Sequence, residues 1–401
     1  MAASSDQVVF PPRPISPSDA SPLLTQQPTA DHTLVDTSSA LDDALAVIER
    51  ASRLGVDTEA DSRHHFPEKV CLVQISADER VFIIDPLAPL DMTRFREVLA
   101  DPSVEKILHG ADFDLRGLNR DWGLEVRGVY DTNVAARFAG LERFGLAALI
   151  EDLLGAVIPK NQQLQRSDWS RRPLSKDALA YAAGDVIYLG RVRDALDKRL
   201  RKLKRQRWVA EEVARFEDIR YVPPDPETAF LSVRGSSSLD GKGLAVLRCL
   251  FEFRDGEARR LNRPTAFVIS AEAMVHMAKH PDAELEEVPG LGPTAVRRIG
   301  SGIRKALQAG VQAKPLPRPQ PQYPFRPRPS SAQEKRLKGL KAWRVSEGEK
   351  REMDPALLWP MRSLERLARE PESWKTEIDS PEIREWQRSE CAKALAKHLG
   401  Q

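Results

Sequence analysis

Asp57 and Glu59, in "LGVDTEAD", stand two residues apart on an expected strand, so their carboxylates share one face. The flanking Leu54 and Val56 predict a central, buried strand, where two ionised acids are costly unless a cation compensates them. Further along, "YAAGD" sets Tyr181 and Asp185 one turn apart on one face of an expected helix. Between these stretches, "LHGADFDLRGL" places Asp112 and Asp114 just after a strand, at the start of a helix. A single Asp there is as often a helix cap, and a lone Tyr and Asp at helical spacing are more often structural. Together the segments offer hard oxygen ligands in the order Asp-x-Glu, Asp, Asp, which suit magnesium or manganese rather than zinc. Two such ions, ~3.5–4 Å apart, stabilise the attacking and leaving oxygens of a phosphoryl displacement. Tyr181 would then orient the attacking water.

The elements that must position these groups follow from hydrophobic periodicity. "HTLVD" and "RLGVDTE" predict strands on either side of a helix, "SALDDALAVIERAS"; "KVCLVQIS" and "RVFIIDP" predict a hairpin, and "EKILHG" a further strand. Helices are expected over "ADFDLRGLNRDWG", "DTNVAARFAG", "GLAALIEDLLG" and, as one long run capped by Ser175, "SKDALAYAAGDVIYLGRVRDALDKRL". Strands interleaved with helices that then dominate imply an α/β domain on a mixed central sheet.

At 401 residues the chain is long enough for two to four domains of roughly 100–200 residues. No apolar run reaches the length of a membrane span, so no membrane partner is expected. The Ser/Pro-rich residues 1–31 have neither the basic start nor the apolar core of an export signal and read as a disordered leader, with the cytoplasm as the expected location. Cys71, Cys249 and Cys391 lie far apart and form no CxxC pair, which indicates neither a disulfide framework nor a structural zinc site. Residues 1–200 hold 23 basic and 31 acidic side chains, a net of −8, and residues 201–401 a net of +10. An acidic front half suits metal cations and a basic rear half a polyanion, although scattered solvated charge gives the same sums. In "KRLRKLKRQR" (198–207) seven of ten residues are basic; a solvated helix end and an RNA-phosphate contact through Lys202 and its neighbours are equally compatible readings.

Behind Pro223-Pro224 the pattern is helical and repeats. Phe253-Arg254 matches Trp343-Arg344, and Pro281 matches Pro371, in both cases 90 positions on. A constant offset of this kind indicates two copies of one small domain. Between the copies, residues 311–329 carry seven prolines and no acid, the composition of a semi-rigid spacer that would let the second copy swing independently.

At "DTE" (57–59), "HGADFD" (109–114) and "YAAGD" (181–185) the sequence resembles the DEDD exonucleases of the Tyr subgroup, and within them the ribonuclease D family. The family's second-motif acid falls on Asp114 rather than Asp112, and the sister subgroup's His position is Ala180 here. The rear copies resemble the helicase-and-RNase-D C-terminal (HRDC) domain. The resemblance implies a ribonuclease H-like α/β exonuclease domain over 32–207, followed by two all-α HRDC bundles at 225–310 and 330–401 with the Pro-rich linker 311–329 between them. It implies hydrolytic 3′→5′ removal of 5′-mononucleotides with two Mg²⁺ or Mn²⁺ ions per site. Asp57, Glu59 and Asp185 would hold one ion, Asp57 would bridge to the second, Asp114 would hold that second ion, and Tyr181 would position the nucleophile. Glu59 would also receive the terminal 3′-hydroxyl. The partner implied is RNA with a free 3′-hydroxyl end, a tRNA precursor by family expectation; nothing in the sequence demands an oligomer, so a monomer is expected. Arg166, Arg171 and Arg172, in "RSDWSRRPLS", are candidates for phosphate contact and Trp169 for base stacking, with local ion pairing and packing as the competing roles. Gly290 and Gly292, in "VPGLGPTAVRRIG", could let backbone amides approach a phosphate; the second copy has "IDSPEIREWQ" there and lacks those glycines.

A DNA exonuclease on the same site and a non-catalytic nucleic-acid-binding module are the rival readings. Clustered buried carboxylates argue against the module, which has no need of them. RNA is separated from DNA by contacts to the 2′-hydroxyl, which a sequence does not display.

Overall fold

Short β-branched runs in the front half build one mixed six-stranded sheet, and the rear half is helical throughout. The computed structural model describes residues 31–158, 161–317 and 328–400; most of the leader and the centre of the Pro-rich linker therefore lie outside the described residues. The front elements are β1 (His32–Val35), α1 (Ser38–Ile48), β2 (Arg53–Ala60), β3 (Val70–Ala77), β4 (Arg80–Ile84), α2 (Thr93–Ala100), β5 (Glu105–Leu108), α3 (Asp112–Trp122) and β6 (Val129–Asp131). They are followed by α4 (Thr132–Phe138), α5 (Leu146–Leu154), α6 (Gln162–Gln165), α7 (Lys176–Ile187), α8 (Leu189–Leu203) and α9 (Gln206–Ala214). The rear helices are α10 (Gly241–Leu261), α11 (Ala271–Lys279), α12 (Pro293–Gln312), α13 (Ser331–Lys350), α14 (Pro355–Leu358), α15 (Met361–Arg369), α16 (Trp374–Ile378) and α17 (Glu385–Leu399). No helix among the described residues is long and apolar enough to cross a membrane.

The strand order is β1-β4-β3-β2-β5-β6, with β3 antiparallel to both neighbours and the remaining pairs parallel. Alternation along the strands splits the core. Val56, Val73 and Ile75 join Leu45, Phe95 and Leu118 from α1, α2 and α3 on one side. Leu72 and Ile83 join Ala182, Ala183 and Val186 from α7 on the other. Strand β2, which carries the first pair of acids, is central, as its apolar flanks predict.

Some elements depart from expectation. Helix α2 buries only Phe95 and Leu99 and β6 has three residues, so neither leaves enough periodicity to be read. The single long helix expected after Ser175 is two, α7 and α8, broken at Tyr188 (φ −96°, ψ −9°). Helical spacing is continuous across the break; the bend arises because α7 packs on β2, β3 and β4 whereas α8 packs on α4 and α5. Helix α12 also runs through Val311 and Gln312, which the sequence reading assigned to the linker.

The rear repeat is visible in the elements. Helix α10 starts at Gly241 and α13 at Ser331, and α11 spans 271–279 where α15 spans 361–369, each offset by 90. The two units are embedded differently. Leu247, Leu250, Met274, Met277 and Ile303 give α10–α12 a core of their own. The second unit instead shares one core with α4, α5, α8 and α9: the Trp386 ring stacks on Trp208 at 4.8 Å and meets the edge of Phe138 at 5.3 Å. Arg384 makes two 2.7 Å hydrogen bonds to Glu212, and Arg137 is paired with Asp354 at 2.7 Å. The expectation of a freely swinging second copy is thus corrected: its inner face is part of the front domain's core.

Candidate active site

Strand β2, helix α3 and helix α7 deliver four carboxylates into one cleft of about 560 Å³, also lined by His109, Phe113, Leu146 and Leu189. Ligand atoms of Asp57, Glu59 and Asp185 lie within 4.8 Å of one another. Asp114, 6% exposed, comes from the first turn of α3 and accepts a 2.5 Å hydrogen bond from the Thr58 hydroxyl. Asp112 points outward and pairs with Arg116 at 2.8 Å, so the structure separates the two acids of "ADFD" as the resemblance does.

Local sequence explains how these groups meet. At Gly55 a Cβ would stand 2.3 Å from Ser76 Oγ and 3.0 Å from Val186 O; only glycine lets α7 lie this close to β2, two residues before Asp57. Ser76 Oγ donates to Val186 O at 2.9 Å and fixes α7 next to Asp185. The β2–β3 register shifts between Glu59 and Ala60, a bulge of the kind that re-aims side chains at sites. Ser175 caps α7 as expected, its hydroxyl accepting from Ala178 N–H.

Burial of all four acids, and repulsion at Asp57 and Glu59, set the protonation of the cluster. Burial first, then Asp114, Asp185 and Glu59, hold the Asp57 carboxyl well above its ordinary range. Glu59 is pushed up to about 9, by burial and then by Asp185 and Asp114. Burial also raises Asp114 and Asp185, offset in part by the Thr58 and Tyr181 hydroxyls respectively. Burial and the neighbouring acids push the Tyr181 phenol above its usual range, so it is a hydrogen-bond donor at neutral pH. Four clustered acids whose proton affinity is raised by burial and, at Asp57 and Glu59, by the neighbouring carboxylates, with no arginine or lysine paired to them among the described residues, form a donor set that fits divalent cations.

Comparison with known proteins gives this geometry a family. Residues 32–201 match the family described as 3′-5′ exonuclease, and residues 243–307 match the HRDC domain. Ribonuclease D of Gluconacetobacter diazotrophicus is 34% identical over 372 residues, 90% of this chain and 90% of that protein. The chain belongs to the ribonuclease D family. Ribonuclease D of Granulibacter bethesdensis is 33% identical over 372 residues, 89% of each chain. Among solved structures, Escherichia coli RNase D shares the fold with a TM-score of 0.69 at 23% identity, covering 92% of this chain and 99% of that one. The catalytic core of RRP6 from Trypanosoma brucei matches with a TM-score of 0.61 at 26% identity, covering 70% and 80%.

Outside the acid cluster, this ribonuclease D family member differs from what its sequence suggests. Trp169 is 1% exposed and packs beside Tyr181, ring centroids 6.2 Å apart, so it is a packing anchor and offers no face to a base. The Arg172 guanidinium is committed to both oxygens of Asp85 and to the carbonyls of Cys71, Trp169 and Arg171, which leaves it no donor for phosphate. Arg166 is exposed, beside a second cleft lined by His64, Arg171 and Ser175. His64 and His65 are tied to the same segment: His64 Nε2 meets Arg166 O at 2.9 Å, and His65 Nε2 meets Ser170 Oγ at 2.8 Å. Lys202 is exposed on the last turn of α8, roughly 20 Å along the helix from Leu189 in the cleft. Gly290 has φ +78°, which requires glycine, and Gly292 caps the exposed start of α12.

Sequence reading missed Thr58, which holds Asp114 from between the two acids of β2, and Phe113, 52% exposed on the cleft rim. A threonine inside the first motif and an aromatic inside the second were the only signals available.

Proposed function

We propose that the protein is a metal-dependent 3′→5′ exoribonuclease that releases 5′-mononucleotides from RNA with a free 3′-hydroxyl end, tRNA precursors being the expected substrate. The observation that carries the reading is the convergence of half-buried Asp57, Glu59 and Asp185 with buried Asp114 in one cleft within an RNase D-like fold. These four carboxylates would hold two Mg²⁺ or Mn²⁺ ions, with Asp57, Glu59 and Asp185 around one and Asp114 serving the other. Bound there, the ions would neutralise the acids and stabilise charge on the scissile phosphate.

The remaining work falls to the chain's own groups. Tyr181, protonated and one turn from Asp185, donates a hydrogen bond that holds the attacking water in line, as expected for the Tyr subgroup. Thr58 keeps the Asp114 carboxylate turned into the cleft. Glu59 accepts from the terminal 3′-hydroxyl, and Phe113 offers an exposed face to the terminal base. Exposed Arg166, next to Gln165 on the cleft wall, would contact phosphates of the incoming strand, and Lys202 on α8 with Gly290 and Gly292 in the rear half would add weaker backbone contacts. The 90-residue offset of helix positions supports reading residues 330–401 as a second HRDC-like unit, acting as a monomer's internal prop.

The test is a 5′-labelled single-stranded RNA with a free 3′-hydroxyl, incubated with magnesium or with chelator beside a matched DNA. A magnesium-dependent ladder that shortens by one nucleotide on RNA is expected. Preferential loss of the DNA would select the DNA exonuclease instead, and binding without cleavage would reduce the protein to a binding module. A tRNA precursor with a 3′ trailer, run against other structured RNAs, tests the substrate.

A further inference from the structure

Gln74 lies at the centre of β3, fully buried, and among the described residues neither its amide nitrogen nor its amide oxygen has a hydrogen-bond partner. Its cross-strand partner on β2 is Asp57. Residues directly opposite in an antiparallel pair point to the same face with Cβ atoms ~4.5–5.5 Å apart. The face is that of α7, because Ser76, two residues on, donates to Val186 O, while Leu72, two residues back, packs with Ala182, Ala183 and Val186. The neighbour across β4 is Ile83. An amide in such surroundings is costly unless it is hydrogen-bonded, and a leucine would fill the position without that cost. The polar side chain directly opposite is the Asp57 carboxylate; Glu59 is a diagonal neighbour on the same face, and Ser76, two residues along β3, already donates to Val186 O.

We propose that Gln74 is a positioning residue for the catalytic centre: its side-chain N–H donates to the Asp57 carboxylate when cations occupy the cleft and holds it in the ligating orientation. The inference rests on the reading of Asp57 as a metal ligand. Groups that orient ligands from behind in this way typically contribute ~10- to 100-fold to metal affinity or activity.

Gln74→Met and Gln74→Leu keep the volume and remove the amide. Metal-free melting temperature, Mn²⁺ affinity by calorimetry and the magnesium dependence of RNA turnover are measured on wild type and both variants. The expected result is a melting temperature equal to or above wild type, Mn²⁺ binding weakened about 10- to 100-fold, and turnover that recovers in part at high magnesium. Unchanged Mn²⁺ affinity and unchanged magnesium dependence in either folded variant would overturn the proposal, as would a lowered melting temperature with unchanged affinity, which marks a purely structural amide. Absence of Mn²⁺ binding by the wild type would instead overturn the reading of the acid cluster.

Discussion

The candidate catalytic cleft and the seam between the front domain and the second rear unit both gather charge, by opposite rules. In the cleft, Asp57, Glu59, Asp114 and Asp185 are packed together, each raising its proton affinity through burial and, for Asp57 and Glu59, repulsion from the other acids. At the seam, charges are matched: Arg384 with Glu212, Arg137 with Asp354, and Glu211 accepting from the N–H groups of Glu385 and Trp386 at the start of α17. A frustrated cluster marks a place where a ligand completes the structure, whereas a satisfied one marks a place where the structure is already complete. Substitutions should therefore have opposite signs of effect on stability in the two regions.

The largest effect is expected for Asp57→Asn. Turnover should fall on the order of 10⁴-fold, about 5 kcal/mol, while the metal-free melting temperature stays level or rises because one buried acid is gone; retained turnover would sink the assignment of Asp57. At the seam, Trp386→Ala should cost about 3–5 kcal/mol of stability and melt the front domain earlier, with turnover per folded molecule unchanged. A melt in which only the second unit unfolds would show the seam to be looser than the shared core of Phe138, Trp208 and Trp386 indicates. Met277→Ala, confined to the separate core of α10–α12, should leave the front domain's transition in place.

The contrast also has a pH signature. Glu59 binds its proton more tightly folded, up to about 9, than unfolded, near 4.5. The stability this contributes is present below pH 4.5 and is lost as pH rises through 9, with Asp57, Asp114 and Asp185 adding in the same direction. In chelator, the melting temperature should fall between pH 6 and pH 9, and magnesium should abolish the fall because cations replace the protons. Calorimetry in buffers of different ionisation enthalpy should show protons released on metal binding. A metal-free melting curve flat over that range would mean that the four acids are not held as a cluster.

How much of this was legible in the sequence differs between the same two regions. Asp57 and Glu59 could be placed on a central strand and Tyr181 and Asp185 on a helix because period 2 and period 3.6 survive in short apolar-rich stretches. The family resemblance, rather than spacing, chose Asp114 over Asp112. What could not be read depends on contacts across the chain. Trp169 is buried among residues of β3, β4 and α7, and three of the five acceptor contacts of Arg172 come from Asp85 and Cys71, some hundred residues away. The repeat at 90 residues gave two equivalent units, but the fusion of one of them to the front domain is written in Phe138, Trp208 and Trp386, three aromatic residues with no local pattern among them.

The smallest expected effect sharpens the comparison at the level of apolar surface. Trp386 at the seam is covered by two aromatic rings, whereas Phe113, a similar flat hydrophobe one residue before Asp114, is 52% exposed on the cleft rim and therefore stabilises the folded chain little. Exposed apolar area beside buried acids is useful only to something that enters the cleft, and a terminal base is the flat partner that a trimmed strand presents. Base–aromatic stacking contributes ~1–3 kcal/mol, so Phe113→Ala should raise the KM for single-stranded RNA about 5- to 10-fold at the lower end of that range. Metal affinity and melting temperature should not change, since no ligand atom and no core contact is removed. Comparing RNAs that end in a purine with RNAs that end in a pyrimidine gives the finer readout: the wild type should favour the larger ring, and the variant should lose that preference. An unchanged KM with both ends would place the terminal base elsewhere in the cleft, against Leu146 or Leu189.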